Sequence, residues 1–198
     1  MCGYIYSIIL LFFFDTLYFF LFSLSPNFYQ PILSNFPYNT NNTLLIVNAT
    51  AANGVDTSRL AQQVPLLKRV ILATPELEWI IQKNTETIPL WSGLCAQDPP
   101  PNMSVLNDAS MGLGVAITTF EDPPSIHDAP RGCGYAGGIG PENVMQMLTA
   151  VAKVAQGTPV WIDMESSLRT VRSGEGVDIF DLEKCAAVAK QTLLLMRS

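Results

Sequence analysis

The sequence predicts an α/β fold built around a parallel sheet, and three observations carry that expectation. From residue 44 onward, short apolar runs alternate with stretches of helical periodicity. The runs are continuous rather than alternately apolar and polar, as in strands buried on both faces. Polar groups recur just after the runs, at the sheet edge where α/β folds bind ligands. Alternating strands and helices leave two architectures, an open doubly wound sheet or a (β/α)8 barrel.

Taken in order, LLIVNA (44–49) reads as a strand and SRLAQQVPLL (58–67) as a short helix interrupted by Pro65. RVILAT (69–74) reads as a strand. Thr74 then caps a helix with Pro75 at its first position and Leu77, Ile80 and Ile81 on one face. IPLWSG (88–93) reads as a strand, followed by the Pro-rich loop QDPPPN. SVLNDA (104–109) is a strand and GCGYAGG (132–138) a Gly-rich one. PENVMQMLTAVAKVA (141–155) is a helix opened by Pro141, with Val144, Met147, Leu148 and Val151 on one face. PVWIDM (159–164) is a strand, and Asp181 caps a last helix over 182–197, with Leu182, Cys185, Ala189, Leu193 and Met196 inward. Six strands are too few to close an eight-stranded barrel.

Residues 1–43 have another texture. The run YIYSIILLFFFDTLYFFLFSL (4–24) carries a single charge, Asp15, and has the length of a membrane span. A mid-bilayer Asp costs about 2.5–3.5 kcal/mol, and no Lys or Arg precedes Arg59 to orient a span. Three readings stand for residues 1–24: a membrane anchor on a cytoplasmic domain, a start outside the natural folded domain, or a buried piece of the fold. Residues 25–43, rich in Pro, Asn and Ser, read as a linker. Residues 44–198 form the α/β domain.

Composition narrows the function. Hydrophobic residues make up 48% and charged residues 14%, which excludes a disordered chain. A net charge of −6, with eleven scattered Lys and Arg, argues against nucleic acid as a partner. One histidine, His127, and four cysteines without CxxC spacing leave no metal motif. Free, mostly buried thiols are the expectation for those cysteines.

The strand ends deliver Asn48, Thr74, Ser92, Asp108, Gly137–Gly138, and Asp163 with Glu165. Asp108 is the first acidic group after an apolar strand and a candidate general acid or base. GGIGPENV (137–144) combines glycines that let a backbone approach a ligand with a helix N-terminus behind them, the makings of a phosphate site. Gly132, Gly134 and Gly137 also satisfy G-x-G-x-x-G, which marks a dinucleotide site only after a strand and opening a helix.

GYAGGIGPENV (134–144), VWIDMESSLR (160–169), VLNDASMGLGVAITTF (105–120) and, more weakly, LLIVNAT (44–50) resemble, in order and spacing, phosphoribosylanthranilate isomerase and its isomerase-like relatives. They are similar to that family's seventh strand with its phosphate loop, its eighth, sixth and third strands. The resemblance covers about 155 of the 198 residues. It implies a compact (β/α)8 barrel with about six βα units recognisable. It implies an aldose–ketose isomerase of tryptophan biosynthesis that performs an Amadori-type rearrangement without a cofactor. On that resemblance Asp108 matches the general acid. Gly137 and Gly138, with Glu165, Ser166 and Ser167, match the phosphate cradle, and Asn48, Asp163 and Arg169 are candidate substrate contacts. The partner implied is a phosphorylated small molecule. The chain departs from the family in lacking a strand ahead of Cys2-Gly3, where the family carries its general-base cysteine. It also places Glu165 where a small serine is usual, beside the expected phosphate. A non-catalytic or degenerate barrel that binds a phosphorylated metabolite is the alternative.

Overall fold

The computed structural model describes residues 43–96, 98–110, 119–126, 129–130, 132–158, 160–172 and 177–196. The expected hydrophobic segment 1–24 and nearly all of the linker, with His127 and the glycines Gly112 and Gly114, lie outside them. In chain order the elements are β1 (Thr43–Val47), α1 (Leu60–Ala73), β2 (Leu77–Lys83), α2 (Ile88–Cys95), β3 (Met103–Asp108), β4 (Ser125–Ile126), β5 (Ala129–Pro130), β6 (Cys133–Ala136), α3 (Val144–Ala155), β7 (Val160–Ile162), β8 (Arg169–Arg172), β9 (Val177–Phe180) and α4 (Leu182–Met196). No described helix is long and apolar enough to cross a membrane.

Five strands form one parallel sheet in the order β1-β2-β3-β6-β7. Strand order follows chain order without a reversal, so these strands contain no switch point of the doubly wound kind. β4–β5 and β8–β9 are small antiparallel hairpins off the sheet. Among the described residues β1 and β7 each pair on one side only, so the α/β architecture is present and barrel closure is not.

The two sheet faces are covered differently. Trp79, Ile81, Met103, Val105, Cys133, Tyr135 and Val160 point to one face, where Leu60 and Ile71 of α1, Leu90, Trp91 and Leu94 of α2 and Val151 of α3 cover them. At the β7 end Ile162 packs with Val144, Met147 and Leu148 of α3 and Val188 of α4. The opposite face gathers Ile80, Leu106, Ala136 and Trp161 with Ile46, strand residues alone among those described. Helices on one side of sequentially ordered parallel strands follow from right-handed crossovers all turned the same way.

Three sequence expectations between residues 69 and 93 are reversed. RVILAT is the last part of α1, residues 77–83 are a strand, and IPLWSG is a helix. α1 runs on through Pro65 with Leu60, Val64, Leu67 and Ile71 on its inner face, so packing overrides the β-branched Val70 and Ile71. β2 hides its strand character because Glu78 and Gln82 are buried polar residues, satisfied across the sheet by Ser104 and Asp108. In α2, Pro89 sits in the first turn and Leu90, Trp91 and Leu94 bury one stripe. Helix α4 is also rotated from expectation: Val188 and Thr192 are buried, while Leu182 and Leu193 are exposed. Thr192 can turn inward because its hydroxyl donates to the Val188 carbonyl at 3.0 Å. None of the described cysteines is in a disulfide, Cys133 being buried and Cys95 and Cys185 half-buried, with burial pushing Cys133 up to about 11.

Gly134 on β6 is required by its neighbour. A Cβ there would lie 2.1 Å from Trp161 Nε1 and 2.3 Å from Cε2, and the indole is itself buried. Gly134→Ala is therefore expected to destabilise the fold by about 1–3 kcal/mol through overpacking. A denaturant midpoint equal to that of the unmutated chain would contradict this close packing.

Candidate functional site

At the C-terminal edge of the sheet, three strand ends converge on a pocket of about 90 Å³. Its walls are Asp108 and Ser110 after β3, Ala136 to Ile139 after β6, and Asp163 to Ser167 after β7. The apolar strands bury their lengths and release polar groups where the ladder ends, and parallel strands release them on one edge.

Asp108 closes β3 and is 5% exposed. Its Oδ2 accepts from Gln82 Nε2 at 2.5 Å. Its Oδ1 accepts from the Ser110 backbone N–H at 3.0 Å and from the Ser110 hydroxyl at 2.5 Å. The carboxylate is thus held from a neighbouring strand and from its own loop.

The loop after β6 turns on glycine. Gly137 has φ 116° and Gly138 φ 61°, the first a conformation essentially confined to glycine. Asn143 ties the loop together: its Nδ2 donates to the Gly138 carbonyl at 2.9 Å and its Oδ1 accepts from the Gly140 N–H at 2.8 Å. Helix α3 starts at Val144 rather than at Pro141, with residues 141–143 forming a turn. The N–H groups of Asn143 and Val144 both donate to the Gly140 carbonyl, so part of the expected anion-facing set is used internally. The loops after β6 and β7 are stitched by Ser167, whose hydroxyl donates to the Ile139 carbonyl. Gly140 permits this approach, since a Cβ on it would meet Ser167 Cβ at 2.6 Å.

Asp163 follows β7 directly and prolongs its ladder, with its N–H donating to the Tyr135 carbonyl at 2.9 Å. The side chain is buried, and Oδ1 has no hydrogen-bond partner. Burial pushes this carboxyl up to about 7, with the charges of Glu165 and Asp108 adding to the shift. Among the described residues, three carboxylates and no Lys, Arg or His line the pocket. No group of three or more metal-ligating side chains with suitable geometry occurs among the described residues.

The structure therefore brings together Asp108, Gly137, Gly138, Asp163, Glu165, Ser166 and Ser167. It does not bring Asn48 or Arg169 to the same walls. Asn48 is exposed after the edge strand β1, with its Oδ1 accepting from the Thr50 hydroxyl at 3.0 Å. Arg169 opens β8 and its Nε–H donates to Asp178 Oδ1 at 2.8 Å across the β8–β9 pair. Gln82 and Ser110 are the contributors not foreseen from sequence. Ser110 follows Asp108 at the spacing of an Asx-type turn, a signal that was present. Gly132 to Gly137 run along β6 rather than through a strand-to-helix turn, which removes the dinucleotide fingerprint. Comparison with protein-family models, characterised proteins and solved structures gave no significant match to this chain.

Proposed function

We propose that the chain is an aldose–ketose isomerase of phosphoribosylanthranilate isomerase type, acting on a phosphorylated sugar derivative without a cofactor. One observation carries the reading. Asp108, the Gly137–Gly138 turn and the Glu165–Ser167 turn come from three separate strand ends and line a single pocket. These are the positions that the resemblance makes the acid and the phosphate cradle. The monotonic strand order and the helices on one face favour a barrel over a doubly wound sheet. A phosphate held without cations needs backbone N–H groups and a helix N-terminus, which barrels supply after their last strands.

The chemistry asked of such a site is modest. The ring C–O bond of an aldosylamine breaks with protonation of the ring oxygen, C2 loses a proton, and C1 gains one. A general acid and a general base suffice, each contributing about 10²–10⁴-fold.

Glu165 favours a second reading, a barrel that binds a phosphorylated metabolite without turning it over. Its carboxylate adds negative charge to the wall that would cradle phosphate. Incubating the full chain with phosphoribosylanthranilate and following ring opening by NMR separates the two. Conversion supports the isomerase. Saturable binding without conversion supports the binding barrel, and neither result would sink both.

A further inference from the structure

We infer that Asp163 and Asp108 form the acid–base pair of this pocket, with Asp163 delivering a proton and Asp108 receiving one, so that no cysteine is needed. The inference rests on the isomerase reading and reassigns the acid within it.

The two carboxyls meet opposite surroundings. Asp108 accepts three hydrogen bonds on its two oxygens from Gln82 and Ser110, so donors from the protein hold both oxygens in the acceptor role. Asp163 has a buried oxygen with no partner and lines the same cavity. Leaving a buried charge unpaired is costly, and a proton removes the charge. The charged groups facing Asp163 are Asp108 from β3 and Glu165 from the turn after β7, both repulsive, while β6 presents Ala136, Gly137 and Gly138. The backbone N–H of Met164 acts in the opposite direction and is outweighed. Burial and these charges hold the Asp163 carboxyl at about 7, so it keeps a proton to give near neutrality. A carboxyl held by donors on both oxygens beside a buried one with an unpartnered oxygen is the pattern of an acid–base pair.

The proton account closes. The bond from C1 to the ring oxygen breaks, its electron pair staying on oxygen, which takes the proton of Asp163. The nitrogen lone pair forms the C1=N iminium. Asp108 removes the proton from C2, and the C2–H electrons form C1=C2 as the iminium π pair returns to nitrogen. Asp108 then returns its proton to C1 while the enol O–H passes its proton to Asp163. The product is the aminoketose, and both carboxyls regain their starting states.

A carboxyl-carbon NMR titration of the unliganded full chain tests the allocation without relying on turnover. The expected result is one carboxyl titrating near neutrality, absent in Asp163→Asn and present at lower pH in Asp108→Asn, which has lost a repelling neighbour. No such carboxyl, or one that survives Asp163→Asn, overturns the inference. With phosphoribosylanthranilate, Asp163→Asn should lower kcat about 10²–10⁴-fold with KM within a few-fold. It should also abolish the decline in rate as pH rises through about 7. Retained kcat would overturn the pair. A chain that titrates as expected but converts no phosphoribosylanthranilate supports the proton allocation and refutes the isomerase reading.

Discussion

Asp108→Asn is expected to lower turnover of phosphoribosylanthranilate by about 10²–10⁴-fold while leaving the fold and the binding of inorganic phosphate intact. The substitution keeps the shape of the side chain and removes its charge. Asparagine can keep its oxygen toward the Ser110 N–H and hydroxyl, which now meet Asp108 Oδ1. Its amide nitrogen would then face Gln82 Nε2, the present donor to Oδ2. A flip of the Gln82 amide presents an oxygen instead and restores that bond, so the buried network survives. What is lost is the proton acceptor, or the acid if Asp108 plays the role the family resemblance gives it, and either loss falls on the rate. The two roles differ in pH dependence. Removing the Asp108 charge relieves Asp163 of one repulsion, so the residual activity should decline at a lower pH than in the unmutated chain. Steady-state rates over pH, with phosphate titration alongside, check both parts. Unchanged turnover would remove Asp108 from the mechanism.

The parts of the fold legible in the sequence are those whose local signals agree with their packing. β3, β6 and β7 are apolar runs bounded by Pro, Gly or Asp, and α3 has an apolar stripe whose members Val144, Met147, Leu148 and Val151 are all buried. The segment 69–93 was illegible because local and tertiary preferences disagree. Val70, Ile71 and Leu72 look like a strand but complete a helix whose Ile71 is fully covered. Glu78 and Gln82 look like a helix surface but pair with buried groups across the sheet. The site fared better, since its members follow apolar runs at the sheet edge and that position is readable from pattern alone. Asn48 shares the pattern but sits after β1, two strands away from β3 in the sheet order. Arg169 is carried into a hairpin, and nothing in VRSGEGVDIF distinguishes that hairpin from a loop by periodicity. Asp163 was visible as a strand-end acid. Its unpaired oxygen, which sets its chemistry, depends on neighbours distant in sequence.

Gly138→Asp is expected to abolish phosphate binding. The φ of 61° at Gly138 is one that Asp tolerates better than most residues, so backbone strain is not the main effect. The new side chain would stand in the turn that forms one wall of a pocket of about 90 Å³ already holding Asp108, Asp163 and Glu165. Repulsion between a carboxylate and a phosphate about 4 Å apart is on the order of 4 kcal/mol at an effective dielectric near 20, which is roughly a thousandfold in Kd. Gly138→Asn has nearly the same shape without the charge and should weaken binding less, which separates charge from bulk. The Asn143 bond to the Gly138 carbonyl involves only backbone on the glycine side, so the loop can keep its form in both variants. Titrating inorganic phosphate into the full chain and the two variants by calorimetry gives the order: unmutated tightest, Asn intermediate, Asp undetectable. Equal affinity in Gly138→Asp would put the phosphate somewhere other than this turn. Equal loss in both variants would mean that bulk, not charge, closes the pocket.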